Sequence, residues 1–192
     1  SAKYQVPGQQ KSSAVSQVLL RIRAGAAKRM TTAVDVYFSQ LADRVVERAN
    51  SKASNQLSAK ADLPNAGDLM NADDRKKLGD LIKRYYVQVI ELSWDTWNVA
   101  LGVEKAFDLT DPAVTLAMRM AATHVKDIEQ TTVDAIRDAL KYANEQGWSI
   151  DQLVRGDANQ PGLRDIIDET YKNRSRAVAI SELGQAQNLA SA

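Results

Sequence analysis

The sequence predicts an all-α fold: an elongated bundle of long helices with shorter helices towards the C terminus. Apolar residues recur every three or four positions over three long stretches, which is the period of an amphipathic helix. Only four prolines and nine glycines interrupt the 192 residues, and most of them lie near predicted helix ends. No stretch of useful length alternates apolar and polar residues, so the pattern does not favour a sheet.

The first helix is predicted over about residues 12–50, either as one helix or as two helices broken near Gly25, since glycine disfavours a helix interior. Its apolar stripe consists of Val15, Val18, Leu19, Ile22, Ala26, Met30, Ala33 or Val34, Tyr37 or Phe38, Leu41 and Val45. Residues 51–71 are polar and rich in turn-forming residues. They predict a long connection to the next helix.

The second helix is predicted over residues 72–104, with Asn71 as its N-cap and acids in its first turn. It has two apolar faces. One consists of Leu78, Leu81, Ile82, Tyr85, Val89, Leu92, Val99 and Val103, and the other of Tyr86, Ile90, Trp94, Trp97 and Leu101. A helix that is apolar on two sides is either central in the fold or covered by a partner.

The third helix is predicted over residues 112–145, because Asp111 and Pro112 form an N-cap followed by proline at the first helical position. Ser149 and Gln152 then have the spacing of a capping box, in which each side chain bonds the other residue's backbone N–H. The remaining helices are predicted over residues 149–155, 163–172 and 174–190.

The composition excludes several classes of catalytic site. There is no cysteine and one histidine, His124, which excludes a disulfide framework, a cysteine nucleophile and a Cys/His zinc site. No serine has the sequence context of a nucleophile elbow, and no phosphate-binding glycine motif is present. Acid pairs such as Asp134 and Asp138 have no histidine beside them and are typical of solvated helix faces. We therefore predict no metal, no cofactor and no enzymatic activity.

Charge divides the chain into a basic N-terminal helical arm, residues 1–60, and a helical domain, residues 61–192. Residues 1–52 contain nine Lys or Arg against three acids, a net charge of +6, whereas the remainder carries −5. Two interpretations stay open: a solvated helix face, or a face that contacts DNA phosphates or an acidic partner. The candidate contact residues are Arg21, Arg23, Lys28 and Arg29.

Trp94 and Trp97 lie one turn apart on the second helix. Tryptophan is enriched among the residues that anchor protein interfaces. It is also a common core residue, because its large ring contributes much apolar area. The sequence therefore leaves open a partner interface at Trp94 and Trp97 and a position in the core.

Four motifs follow one another between residues 102 and 188: GVEKAFDLTDPAV, IEQTTVDAIRDAL, EQGWSIDQL and RSRAVAISELGQAQN. Their order and spacing resemble those of the phage Mu F-like family of minor head proteins, which act in head morphogenesis. In the last motif, Ser181 stands where the family usually has threonine. Family members usually continue beyond that motif, so a fragment and a short member of the family are both open.

The resemblance implies a virion structural protein of the phage head, assembled in the host cytoplasm and acting in DNA packaging or ejection. Its partners would be the portal or other head proteins, in multiple copies around a ring, with non-specific DNA contact as a further expectation and no membrane segment. It also implies structural roles for the motif residues Arg174, Arg176, Ser181, Glu182 and Asn188. The alternatives are a C-terminal helical extension of a portal protein, a DNA-binding accessory head protein, and an enzyme or toxin fragment.

Overall fold

A computed structural model describes residues 7–55 and 63–171 of the chain, and these residues are mostly helical. The helices are α1 (Pro7–Asn55), α2 (Ala66–Leu69), α3 (Ala72–Leu101), α4 (Pro112–Glu145) and α5 (Ile150–Arg155). A further helix, α6, begins at residue 163 and continues through residue 171. In the described residues the strand-like pairing is limited to one bridge between Gly156 and Pro161. The prediction of an all-α fold is confirmed.

Most predicted helices lie within a few residues of the observed ones. Helix α1 is longer at both ends than the predicted 12–50, and it runs without a break through Gly25. Helix α3 ends at Leu101 rather than at residue 104. The predicted connection contains a helix that the pattern did not reveal, α2, whose N-cap Asn65 accepts a hydrogen bond from the backbone N–H of Asp68. The helix predicted over 174–190 lies outside the described residues, as does the side chain of His124.

The chain groups into two compact units, and each of the three long helices contributes to both. Within the described residues, unit 1 comprises 7–31 and Ile82–Thr123, and unit 2 comprises 32–55, 63–81 and 124–171. Buried side chains of unit 1 include Leu19, Met30, Ile82, Tyr86, Val89, Ile90 and Val114. Those of unit 2 include Phe38, Leu41, Leu69, Met70, Leu78, Ile136, Leu153 and Leu163. The division at residue 60 stays a prediction, because it rests on charge rather than on contacts.

A buried carboxylate, Asp74, joins α1 to the start of α3 in unit 2. Its side chain is 0% exposed. Arg44 Nε donates to its Oδ1 at 2.9 Å, and Arg48 Nη1 donates to its Oδ2 at 2.5 Å. The Tyr37 hydroxyl donates to the Asp74 backbone carbonyl at 2.7 Å. We call Tyr37, Arg44, Arg48 and Asp74 the Asp74 cluster.

The local sequence explains why these groups meet. Tyr37, Arg44 and Arg48 are seven and four residues apart, so they lie on one face of α1. Asp74 is the third residue of α3, where its backbone N–H donates to Asn71 Oδ1 at 3.1 Å and its carboxylate accepts from the Asn71 N–H at 3.3 Å. The predicted N-cap at Asn71 is thereby confirmed, and a carboxylate in this turn is also favoured by the helix dipole.

The environment of the Asp74 cluster shifts two pKa values in opposite directions. Burial acts to raise the pKa of the Asp74 carboxyl, but the hydrogen bonds and charges of Arg48 and Arg44 outweigh it and hold this pKa below its ordinary value of 3.8. Burial, followed by the Asp74 charge, raises the pKa of the Tyr37 hydroxyl above its ordinary range. At neutral pH Asp74 is therefore ionised while Tyr37 keeps the proton that it donates.

Aromatic stacking and an ion pair attach α6 to α1. The Phe38 and Tyr171 rings stack with their centroids 3.8 Å apart and their planes at 19°. Arg164 pairs with Asp43. Both contacts lie within unit 2, so α6 is held to α1 by an apolar contact near its last described residue and a charged one near its beginning.

Helix α4 ends in a Schellman motif, the hydrogen-bonded turn in which a residue with positive φ closes a helix. Gly147 has φ +65°, the Trp148 N–H donates to the Ala143 carbonyl at 2.8 Å, and the Gly147 N–H donates to the Asn144 carbonyl at 3.2 Å. The Trp148 ring then meets the Tyr142 ring edge-on at 5.2 Å. The capping box predicted at Ser149 follows directly and is confirmed.

A tight loop joins α5 to α6. Gly156 has φ +74°, and a Cβ at this position would lie 2.4 Å from the Gln160 carbonyl oxygen. The Asp157 carboxylate accepts hydrogen bonds from the backbone N–H groups of Asn159 and Gln160 at 2.7 and 2.9 Å. Backbone contacts and an Asx turn therefore fix this loop.

The Asp74 cluster predicts a large penalty for removing one charge. Asp74→Asn leaves two arginines in a half-buried site without their counter-charge, so we expect a loss of about 3 kcal/mol in the free energy of unfolding. Urea unfolding followed by circular dichroism measures this loss. Asp73→Asn is the matched control, because Asp73 is exposed and pairs with Lys77; it should lose less than about 1 kcal/mol. Equal losses for the two variants would contradict this account.

The lowered pKa of Asp74 also predicts how its contribution depends on pH. A carboxyl whose pKa is lower in the folded than in the unfolded chain stabilises the fold above the unfolded value, near 3.8, and loses this effect as the pH falls through the folded value. The difference in free energy of unfolding between wild type and Asp74→Asn should therefore be constant from about pH 7 to 5 and shrink below about pH 4. A difference that is unchanged in acid would show that the Asp74 charge does not contribute.

Candidate interaction surface

The basic residues singled out in the first half of α1 do not all share one face. Arg21 and Lys28 are exposed and seven residues apart, which places them on the same side of the helix. Arg29 is exposed beside them, whereas Arg23 is half-buried. The candidate contact face is thus formed by Arg21, Lys28 and Arg29, and DNA or acidic-partner contact stays a prediction.

A cluster of exposed apolar side chains lies at the end of α3 and in the loop after it, within unit 1. Val99 is 84% exposed, Leu101 69% and Val103 49%, and Leu109 is exposed as well. Single exposed apolar residues are ordinary on protein surfaces, but several within eleven residues are typical of an interaction site. We call Val99, Leu101, Val103 and Leu109 the apolar tip.

Hydrogen bonds from the backbone and from two side chains hold the apolar tip in place. Gly102 has φ +67°, a conformation that favours glycine, and it closes α3 so that the Val103 N–H donates to the Asn98 carbonyl at 3.0 Å. Two side chains of α3 then donate to the Lys105 carbonyl, Trp94 through Nε1 at 2.9 Å and Asn98 through Nδ2 at 2.5 Å. The loop is therefore anchored to α3, although its apolar side chains are exposed.

Trp94 is half-buried, and residues of the following loop cover it. The Lys105 ammonium lies 4.8 Å from the centre of its ring, and the Phe107 ring meets it edge-on at 6.2 Å. Trp97 is half-buried too. The interface role predicted for the two tryptophans therefore stays a prediction, since each side chain is partly covered and partly accessible. The sequence pattern did not predict that Lys105 and Phe107 contact Trp94. The available signal was Gly102, because a glycine shortly after a helical stretch is typical of a helix end at which the chain turns back.

The two apolar faces predicted for the second helix are buried only over part of their length. Leu78, Ile82, Tyr86, Val89 and Ile90 are buried. Further along, Leu92, Val99, Leu101 and Val103 are exposed. In the described part of the chain α3 is therefore central only in its first turns, and cover of its last turns by a partner stays a prediction.

Acidic side chains lie close to the apolar tip in the sequence. Asp95, Glu104 and Asp108 are exposed, and Lys105 pairs with Asp111 at 3.5 Å. The backbone N–H and the hydroxyl of Thr110, both 2.8 Å from Asp108 Oδ1, lower the pKa of the Asp108 carboxyl. Asp108 is therefore ionised at neutral pH, and the surface suits a partner that combines apolar and basic side chains.

The motif residues Arg174, Arg176, Ser181, Glu182 and Asn188 lie outside the described residues. Among the described residues, no group of three or more His, Cys, Asp or Glu side chains could hold a metal ion. No described helix is both long and apolar enough to cross a membrane.

No protein-family model, curated protein or solved structure matches this chain. The interpretation of the apolar tip therefore rests on the geometry and on the sequence motifs.

The anchoring of the tip predicts a local effect of Trp94→Phe. This variant keeps a ring but removes the N–H that bonds the Lys105 carbonyl, so amide protons of residues 103–107 should exchange faster with solvent. The free energy of unfolding should fall by only about 1 kcal/mol, because Asn98 still bonds the same carbonyl. Hydrogen exchange with mass spectrometry measures the change, and Trp148→Phe, in unit 2, is the control. Unchanged exchange at residues 103–107 would show that Trp94 does not anchor the loop.

Proposed function

We propose that this protein is a structural component of a phage head, a minor head protein that binds the portal or another head protein. The observation that carries the proposal is the exposed apolar tip, because three of its four members lie within or next to the first motif of the resemblance, GVEKAFDLTDPAV. The segment that resembles head morphogenesis proteins thus coincides with an anchored, exposed apolar surface of unit 1. Such a surface is typical of a chain that assembles with others.

The physical properties of the tip support protein binding. Covering exposed valine and leucine side chains contributes roughly 25 cal/mol for each Å² of apolar area removed from water. The Trp94 and Asn98 bonds to Lys105 hold the loop before a partner arrives, which lowers the entropy lost on binding. The exposed acids Asp95, Glu104 and Asp108, which neighbour the tip in the sequence, would favour a partner with basic residues.

We propose binding rather than catalysis as the activity. The described groups with shifted pKa values are Tyr37, Asp74, Asp108 and Glu129. Tyr37 and Asp74 hold α1 to α3, and Asp108 fixes a turn. Burial raises the pKa of Glu129, with the charge of Arg75 opposing the shift. These causes are those of a packed fold, which supports a structural role.

DNA contact is a second candidate function, and it is favoured by the exposed face of Arg21, Lys28 and Arg29. Neutralising phosphates releases counterions, so affinity for DNA would fall steeply with salt. In this proposal the protein acts in the virion, where a head component meets both DNA and other head proteins. A measured DNA affinity that does not change with salt would argue against this candidate.

The test of the proposed function is complex formation with the portal protein encoded in the same genome. Co-expression followed by size-exclusion chromatography with light scattering should show a complex for the wild-type chain. The double variant Val99→Ser, Leu101→Ser should weaken it at least about tenfold, because fully burying one valine or leucine side chain contributes about 1.5–3 kcal/mol. Its free energy of unfolding should be nearly unchanged, since both side chains are exposed.

Val36→Ser is the matched control, because Val36 is also an exposed valine but lies in unit 2. It should leave the complex intact. The proposal fails if the wild-type chain forms no complex with the portal protein, or if the tip variant and the control bind equally well.

A further inference from the structure

A second concave surface lies in unit 2 and is independent of the apolar tip. It is a groove of about 350 Å³ bounded by one face of α4, the turn at Trp148, helix α5, the loop before α6 and the first turn of α6. Ala135, Asp138, Ala139 and Tyr142 have the i, i+3, i+4, i+7 spacing of one helix face. The volume is at the lower end of the range for ligand sites, which fits one or two side chains better than a nucleotide.

The walls of this groove are fixed by the local geometry of the chain. The Schellman motif and the Tyr142 contact hold Trp148, and the capping box at Ser149 orients α5. The backbone approach at Gly156 and the bonds to Asp157 hold Gln160 and Pro161. A site that exists before its ligand binds loses little conformational entropy on binding.

The carboxylate of Asp138 stands out from its charged neighbours. Asp134 pairs with Arg137, Asp151 pairs with Arg155 at 3.0 Å, and Glu145 lies 4.0 Å from Lys141. Asp138 is exposed on the groove and, among the described residues, forms no hydrogen bond or ion pair. A negative charge thus lies beside two aromatic rings, where the nearby cations already have partners.

We propose that this groove binds an arginine side chain presented by a partner polypeptide. The guanidinium is planar, so it can meet a carboxylate through two parallel hydrogen bonds and also stack on an aromatic face. Asp138 supplies the carboxylate, and Tyr142 and Trp148 supply the rings. The methylene stem of the arginine packs on Ala135 and Ala139, whose small side chains leave room for it. Lysine fits less well, because its ammonium is a point charge that cannot stack.

Nuclear magnetic resonance titration of the full ¹⁵N-labelled chain tests the proposal with a blocked tripeptide, acetyl-Ala-Arg-Ala-amide. Saturable shifts should appear at residues 135–142, 148 and 160, with a Kd on the order of 1 mM for one side chain. The Lys tripeptide should bind more weakly, and the Gln tripeptide should not bind. Equal binding of the Arg and Gln tripeptides, shifts confined to other acidic surfaces, or no saturation would overturn the proposal.

Asp138→Asn removes the charge at an exposed position, so the fold should be retained. It should weaken binding of the Arg tripeptide about five- to tenfold. Asp127→Asn is the matched control, because Asp127 is an exposed aspartate on the same helix outside the groove. This variant should bind the Arg tripeptide with the affinity of the wild-type chain. An equal effect of both variants would show that net charge, rather than this groove, attracts the peptide.

The outcome does not depend on the proposed function. The groove can bind arginine whether or not the apolar tip binds a portal protein, because its residues lie in unit 2 and the tip lies in unit 1.

Discussion

The buried charge of Asp74 is the constraint on which unit 2 depends. A carboxylate removed from water is strongly unfavourable unless hydrogen bonds and opposite charges replace the lost hydration. Here two arginines of α1 and the backbone N–H of Asn71 provide them. These bonds are directional and the groups are fixed to two helices. The register of α1 against the start of α3 is therefore specified more narrowly than apolar contacts alone would specify it.

The Asp74 cluster also reduces the positive charge that the N-terminal region presents to a partner. Of the nine bases in residues 1–52, Arg44 and Arg48 bind Asp74, and Lys52 pairs with Asp68. These three bases pair with two acids of the same chain, so together they add about one net positive charge to the surface rather than three. Among the α1 side chains whose exposure the structure describes, Arg21, Lys28 and Arg29 are the exposed bases of the candidate contact face. An excess of charge counted along a sequence therefore overstates the field that a partner meets.

The sequence was informative where a single local rule decides the structure. The caps at Asn71 and Ser149 and the start of α4 at Pro112 follow from short-range hydrogen bonding and from the fixed φ of proline, so they could be predicted. Gly25 did not break α1, because the penalty of about 1 kcal/mol for one glycine is small beside the packing of a 49-residue helix. The Asp74 cluster was not predicted, because Arg44 and Arg48 have the helical spacing of a solvated face. Only their contact with Asp74 of another helix distinguishes a buried ion pair from such a solvated face. The apolar tip was not predicted for a related reason. Val99 and Val103 continue the apolar stripe of the helix, and the periodicity of a stripe does not show which of its residues are buried by neighbouring helices and which are exposed.

Turns closed by glycine connect the fold to both candidate surfaces. At Gly102 and at Gly147 a positive φ ends a long helix and directs the chain back along it. In each case an aromatic ring contacts the segment that turns back, Trp94 through the Lys105 carbonyl and Tyr142 through the Trp148 ring. Helix ends leave backbone groups without helical partners, and the returning chain satisfies some of them while exposing new side chains. The apolar tip and the groove beside Asp138 thus share one local structure, a helix end closed by a glycine with positive φ. They differ in chemistry because valine and leucine follow the first turn, whereas a tryptophan and a nearby aspartate flank the second.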